Sequence, residues 1–503
     1  VFYVDWWPLG PRWMFIADPE VASKYLTTGQ SLPKSRLTTD FLTKLLGANN
    51  MVGLEGQAWK SLRSIFNPGF SASHLITLVP YVVDSSLVFL DLLLEKAKTN
   101  ELVELDPLSI GFAIDIIGKV VMDSDFDSQK RPHPIVTTFR KQVEMMPSAA
   151  SIGPLDDINL VRPIRLWLNA KKLDYLLGAE IDKKIAARKT MQESNGSTGT
   201  EKHKKDRKRS IVDLALDAYE KEVAASAKAG SSGMTSSFRT MAIDSIKTFI
   251  FAGHDTTSST ISYTMYLLHL HKHVYTKIVA ELDSVYGKDI TASEMGELIK
   301  SDPHSINKLE YLGAVIKEVL RIFPPASTIR ELKRPSEVAS VKEKIIIDPS
   351  TGKECPMVGF DIWPVAHMIH RNEAYFPEPL KFIPERFIPS QTPFPDCKLH
   401  TPAGKDAWRP FEKGPRNCIG QELAMMEAKV VIALVIREVD FTAEFYGAKI
   451  EEGDWKPVET KDEFADGLSG EKRLTVEGHK PYQVLIGAAR PRNGMSGRLK
   501  LRR

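Results

Sequence analysis

The chain has 503 residues, 43% of them hydrophobic and 26% charged, with a formal net charge of +3. This is the composition of an ordinary globular chain with ample core-forming material, and so small a charge excludes a global electrostatic case for nucleic-acid binding. Its three cysteines, Cys355, Cys397 and Cys418, exclude a disulfide framework and fit a reducing compartment.

Residues 1–18 place Phe2, Val4 and Trp6, then Trp13, Phe15 and Ile16, on either side of Pro8-Leu9-Gly10-Pro11, which predicts a short hairpin. Asp18-Pro19-Glu20 predicts a helix start, with aspartate as cap and proline at the first helical position. The mixed stretch 36–57, with Gly47, Asn49, Asn50 and Gly53, reads as a loop. It leads into Trp59-Lys60-Ser61-Leu62-Arg63, whose tryptophan and arginine, four apart, share one helical face. Two long helices follow, His74 to Lys98 and Pro107 to Met122, separated by a short strand at 102–105. The most apolar run, Leu75 to Leu94, is broken by Asp84, Ser85, Ser86 and Asp91 and falls short of a membrane span.

Residues 145–167 mix Pro147, Gly153, Pro154 and Pro163 with apolar side chains and read as a loop or lid. Residues 194–210, polar and then basic, read as a solvated linker, and Asn195-Gly196-Ser197 is a sequon of the kind that arises by chance. A second segment of small residues runs from Ala224 to Met234.

From Thr235 to His269 the apolar spacing of Phe238, Ala242, Ile246, Phe249 and Ile250 predicts one long helix. It is interrupted by Ala252-Gly253-His254-Asp255-Thr256-Thr257-Ser258-Ser259-Thr260, a run of poor helix formers whose glycine costs about 1 kcal/mol against alanine. The face turns apolar again at Ile261, Met265 and Leu268, so local and global preferences conflict inside one element, as they do at functional sites. Leu309 to Phe323 predicts a helix stopped by Pro324-Pro325, with Glu318 and Arg321 on one side and Arg330 shortly after. Short strands are predicted at 345–347 and 359–364, a helix from Glu422 to Ile436, and a half-buried strand from Val439 to Phe445. Residues 446–480 are too polar to assign; Tyr482 to Ile486 reads as the last strand and 490–503 as a basic tail.

Between these last helices lies Phe411-Glu412-Lys413-Gly414-Pro415-Arg416-Asn417-Cys418-Ile419-Gly420. Gly414 and Pro415 suit a tight turn, and Gly420 removes a Cβ where a bulky flat partner could lie close. Cys418 falls at a helix N-terminus, where unpaired N–H groups favour a thiolate. A lone thiolate cannot build a zinc or iron–sulfur site, but it can be the one axial protein ligand of a haem iron.

The complete pattern Phe–x–x–Gly–x–Arg–x–Cys–x–Gly resembles the haem-binding loop of the cytochrome P450 family. The motifs at 59–63, 252–257, 318–321 and 384–387 resemble the same family, in the expected order. The resemblance implies one catalytic domain over 1–503, mainly α with small β-sheets, its long central helix lying over haem b. Cys418 would be the metal ligand; Trp59, Arg63, Arg330, Phe411, Arg416 and Gly420 would bind the cofactor. Asp255 and Thr256 would carry protons to dioxygen, while Glu318, Arg321 and Arg386 would form a structural network. In this family the 145–167 region is a lid that often dips into lipid.

The implied activity is a monooxygenase acting on a small apolar substrate with O2. The phrasing of the central-helix and cysteine motifs is most similar to enzymes of filamentous-fungal secondary metabolism. A desaturase or rearranging enzyme of the same fold, and a non-enzymatic haem sensor or carrier, are the alternatives. The chain carries no flavin or nicotinamide fingerprint, so NADPH-cytochrome P450 reductase is the expected donor, with cytochrome b5 as a second, and nucleic acid is not expected as a partner. The family's setting implies the cytosolic face of the endoplasmic reticulum membrane. Because the chain begins at Val1, an N-terminal anchor is expected to be missing from this fragment.

Overall fold

A computed structural model describes residues 1–6, 10–28, 31–146, 161–194, 209–228, 238–332, 345–445, 448–449 and 481–502. The expected linker at 195–208, most of the expected lid (147–160) and most of the unassigned stretch 446–480 lie outside these residues.

The helices of ten residues or more are α1 (Arg36–Leu46), α2 (Gly56–Phe66), α3 (Ala72–Thr99), α4 (Leu105–Met122), α5 (Pro134–Glu144), α6 (Arg162–Ser194), α7 (Ile211–Lys228), α8 (Phe238–Leu270), α9 (Lys272–Tyr286), α10 (Ala292–Ser301), α11 (Glu310–Ile322) and α12 (Gln421–Glu438). Helix α8 is the axis of the fold: α4, α6, α11 and α12 all pack on it. Helix α3 is apolar and long enough to cross a membrane, yet Leu75, Leu78, Val79, Val82, Val83, Phe89, Leu90 and Leu93 face the core. Its apolar character is spent on packing against α4 and α12.

Helix α1 overturns the loop expected over 36–57. Ser35 caps it by accepting the Leu37 N–H, and Leu42, Leu45 and Leu46, at helical spacing, are buried. The loop is confined to the glycine- and asparagine-rich segment after it, beginning at Gly47 with φ +100°. Helix α8 keeps its polar run helical because the hydroxyls bond backward along the helix. Thr256, Thr260 and Thr264 donate to the carbonyls of Ala252, Thr256 and Thr260 at 2.7, 2.8 and 2.7 Å. Gly253 lies close against α4, and a Cβ there would require the Ile117 side chain to shift.

The strands are β1 (Phe2–Asp5), β2 (Arg12–Ile16), β3 (Val103–Glu104), β4 (Arg330–Glu331), β5 (Ile345–Ile347), β6 (Glu354–Pro356), β7 (Asp361–Pro364), β8 (Val439–Phe445), β9 (Ala448–Lys449), β10 (Gln483–Ile486), β11 (Ala488–Pro491) and β12 (Ser496–Leu501). One sheet runs β1-β2-β7-β4 and includes the expected N-terminal hairpin, with Phe2 opposite Phe15; β2 and β7 pair in parallel. A second runs β3-β12-β8-β9. Its β12 corrects the expected basic tail. Gly497 and Leu499 turn inward, while Arg498 pairs with Glu444 of β8 at 2.8 Å, an acid brought from elsewhere in the chain. Strands β10 and β11 form a tight hairpin, Ile486 opposite Ala488.

Candidate active site

The cysteine loop is held by its own backbone. The Cys418 N–H donates to the Phe411 carbonyl at 2.8 Å, and the Asn417 N–H to Gly414. Gly414 has φ +78°, and a Cβ on it would meet the Thr27 carbonyl at 2.4 Å. At Gly420 the space is open, its nearest neighbour being Cys418 Sγ at 3.9 Å. Cys418 is a free thiol with accessible surface inside this loop. Burial pushes its pKa up, opposed by the Gly420 N–H and by Arg63.

Beside the loop lies a cluster of cations, Arg330 and Lys34 buried and Arg63 and Arg416 half-buried. Arg63 of α2 donates to the backbone and side-chain oxygens of Asn417 at 3.0 and 3.2 Å. Arg416 lies over the Trp59 ring, 4.7 Å from its centroid, and donates to Glu55 and to the Val52 and Leu54 carbonyls. Arg330 of β4 is fully buried, bonded to the Leu32 carbonyl at 2.8 Å, with its Nε unpartnered. Lys34, which sequence reasoning missed, is buried beside them and donates to Thr328. Burial lowers the pKa of all four cations, that of Arg416 to about 10. Glu55 is shared within the group, whereas Glu412 is engaged by Arg409 at 2.7 Å, so positive charge predominates.

Across from this loop, α8 presents Thr256, Thr257 and Thr260 to a small cavity. Its other walls are Ile316 and Leu320 of α11, Pro325, Phe411, and Ala424 and Met425 of α12. Asp255 does not share this cavity. It is buried on another side of α8, where His254 Nε2 lies 3.0 Å and Arg490 Nη1 3.5 Å from its Oδ1. Burial pushes the Asp255 carboxyl up, but His254, Arg490 and the Ala488 N–H outweigh it and hold the pKa below the usual aspartate range. Glu427 of α12 was also missed from sequence. It is 3% exposed, with one carboxyl oxygen unpartnered and Thr257 beside the carboxyl, and burial pushes its pKa up to about 8.

The loop is buttressed from α11. Arg321 makes a two-point pair with Glu318 at 2.7 and 2.8 Å, and Arg386 reaches the same carboxylate at 3.0 Å; all three are buried. Arg321 also donates to the carbonyls of His370, Pro379 and Lys381, and Arg386 to those of Pro377 and Glu378. Trp408 Nε1 bonds the Lys317 carbonyl of α11 at 2.9 Å, tying the segment before Phe411 to the same helix.

This helical fold sets a free thiol in a glycine-bounded loop, with Phe411 of that loop and the threonines of the central helix lining one cavity. The cytochrome P450 family model matches residues 3–451, and the chain belongs to that family. It is 34% identical to "Cytochrome P450 monooxygenase acrF" of Aspergillus aculeatus, over 98% of this chain and 93% of that protein. It is 32% identical to "Cytochrome P450 monooxygenase polC" of Polytolypa hystricis, over 99% and 81%. Human "Cytochrome P450 3A7" is 27% identical over 77% of this chain and 68% of its own length. The expected likeness to fungal members is borne out.

Proposed function

We propose that this chain is a haem-thiolate monooxygenase that inserts one oxygen atom from O2 into an apolar organic substrate, in fungal secondary metabolism. The observation that supports this reading is that Phe411 of the cysteine loop and Thr256 line one cavity, while Arg63 bonds Asn417 beside Cys418. The residues fit a haem. The space at Gly420 is open apart from the Cys418 side chain, the walls are apolar except for the α8 threonines, and Arg330 keeps an unpartnered buried N–H that a cofactor carboxylate would take.

Cys418 Sγ would hold the iron, with its proton displaced by the metal's charge. Arg63, Arg330, Arg416 and Lys34 would bind the propionates, with Trp59 fixing the Arg416 guanidinium by stacking. Phe411 would pack against the ring, and Gly420 would leave room for it. A bound haem would supply oxygen activation, one atom entering the substrate and the other leaving as water. Thr256 would hold a proton at Oγ1, whose donation to the Ala252 carbonyl fixes its direction. Asp255 would exchange protons between that hydroxyl and solvent. The apolar walls exclude bulk water and favour an apolar substrate.

Electrons would come from NADPH-cytochrome P450 reductase, with cytochrome b5 as a second donor. Attachment at the cytosolic face of the endoplasmic reticulum membrane is supported by apolar side chains left exposed on two elements: Phe2 and Tyr3 of β1, and Ile164, Trp167 and Leu168 of α6. The test is turnover of the haem-loaded chain with reductase, NADPH and a panel of hydrophobic metabolites. Substrate-dependent NADPH consumption with a product heavier by one oxygen supports the reading. Products lacking two hydrogens identify a desaturase, and binding without consumption identifies a sensor or carrier.

A further inference from the structure

Three residues at four-residue spacing on α8, Asp255, Ser259 and Tyr263, form a single stripe that faces the C-terminal hairpin and the residue leading into it. Arg490 Nη1 of the hairpin lies 3.5 Å from Asp255 Oδ1. Ser259 Oγ donates to the Ala489 carbonyl at 2.9 Å, and Tyr263 Oη to the carbonyl of Pro481. The hairpin tip, Gly487 with φ +82°, sits so close that a Cβ there would lie 2.8 Å from Asp255 Oδ2. The polar run in the middle of α8 is therefore in part an attachment line for β10 and β11.

Arg490 of β11 stands between two buried carboxylates. Its Nε and Nη2 bond Asp106 Oδ2 of α4 at 3.0 and 2.6 Å, while Nη1 reaches Asp255 only at 3.5 Å. The arginine is anchored to Asp106 and holds Asp255 more loosely. Thr256, the next residue, lies about 100° further round the helix, so a carboxylate turned to the hairpin is turned away from the hydroxyl it would serve. We propose that Arg490 is the positioning residue of the relay acid, and that the hairpin β10–β11 sets when Asp255 can hand a proton to Thr256. This rests on the reading of Asp255 and Thr256 as a proton relay.

The hairpin is placed to sense the substrate side. Its Ala489 N–H bonds the Pro325 carbonyl at 2.8 Å and its Gln483 side chain the Pro324 carbonyl at 3.3 Å. Ala326 and Ser327, which follow, are open to space. A substrate lodged against this segment touches the element that holds Asp255. The charged and titratable groups facing the acid are His254 on its own helix, Arg490 on β11, Asp106 on α4 and Arg140 on α5.

The experiment measures product formed per NADPH consumed, as a function of pH, in the haem-loaded enzyme with reductase and a substrate it oxidises. Arg490→Gln is expected to lower this yield about tenfold, the low end of what a placed proton donor contributes being larger still. It should also move the pH profile of the yield to higher pH, because the cation that favours the Asp255 carboxylate is gone. Arg490→Lys, which keeps the charge, should restore the profile. Gly487→Ala, which pushes on the carboxylate without altering charge, should lower the yield and leave the profile where it was. A purely structural role for Arg490 would change haem content or melting without moving the profile. If Arg490→Gln keeps the wild-type yield and profile while Asp255→Asn loses the yield, the inference is overturned and the relay stands. If Asp255→Asn itself keeps the yield, the relay reading fails and takes the inference with it.

Discussion

Thr256 and Thr257 differ by one position and meet different partners. Thr256 bonds back to Ala252, whereas Thr257 meets the carboxyl of Glu427, although both line the same cavity. Thr256→Ala is expected to leave haem loading and substrate binding intact while diverting reductant to hydrogen peroxide. Thr257→Ala should divert less. Product and peroxide per NADPH, measured for wild type and both variants, check this, and equal yields in all three would remove the hydroxyl from proton delivery. Glu427 supplies a separate test. Its pKa, about 8, is raised above the ordinary carboxyl value of 4.5, so the folded protein keeps a proton that the unfolded chain gives up. That contribution to stability is complete below the unfolded value and is lost as pH rises through the folded one, each pH unit between the two being worth about 1.4 kcal/mol. Glu427→Gln should therefore melt with a flatter pH dependence than wild type between about pH 5 and 8. Cys418, Arg63 and Arg416 could be named from the sequence because they stand in motifs, and Arg330 because of its position after Pro324-Pro325. Glu427 and Lys34 were not, because a single charged residue inside an otherwise ordinary segment carries no sign that its side chain turns inward.

At the scale of elements, burial decides which of the readings hold. Glu318 and Arg321, three apart on α11, would contribute little if exposed, but both are fully buried and share their pair with Arg386. Burial pushes the Glu318 carboxyl up, and the two guanidinium groups more than offset it. Arg321→Ala would leave Glu318 with one cation in place of two and free the carbonyls of His370, Pro379 and Lys381. A loss of about 3–5 kcal/mol is expected, the range for breaking a buried pair. Melting and haem content of the purified variant check it, and wild-type values for both would show that the network does not support the loop. The long helices were legible from their apolar period, and the central helix even through its polar interruption. Helix α1 was not, because the turn residues at 47–53 drew the loop assignment back over a periodic stretch. Strand β12 was not, because Arg498 looked unpaired until folding brought Glu444 beside it.

For the whole molecule, a net charge of +3 hides a local excess of cations around the cysteine loop. Most are buried or half-buried and face inward. Lys429, a candidate for docking a reductase by its position in the sequence, bonds the Ile306 carbonyl instead. Lys60 is exposed on α2, and Lys413 is half-buried beside Trp408, so these two remain to meet an acidic partner. Electron transfer from the reductase should slow as salt rises and in Lys60→Glu and Lys413→Glu, because exposed charge pairs are screened. Stopped-flow reduction of the substrate-bound enzyme reads this directly, and rates indifferent to salt and to both substitutions would place the docking face elsewhere.

The central claim is that Cys418 is the protein's ligand to a haem iron, with the rest of the site built around that bond. The measurement that bears on it most directly is the visible spectrum of the reduced carbon-monoxide complex, for wild type and Cys418→Ser. Serine is close in size, and the loop's Phe411 to Cys418 bond is made by backbone, so the fold should survive the change. The wild type is predicted to show the red-shifted Soret band of thiolate ligation, and the variant to bind haem without it. An unchanged red-shifted band in Cys418→Ser would contradict the account.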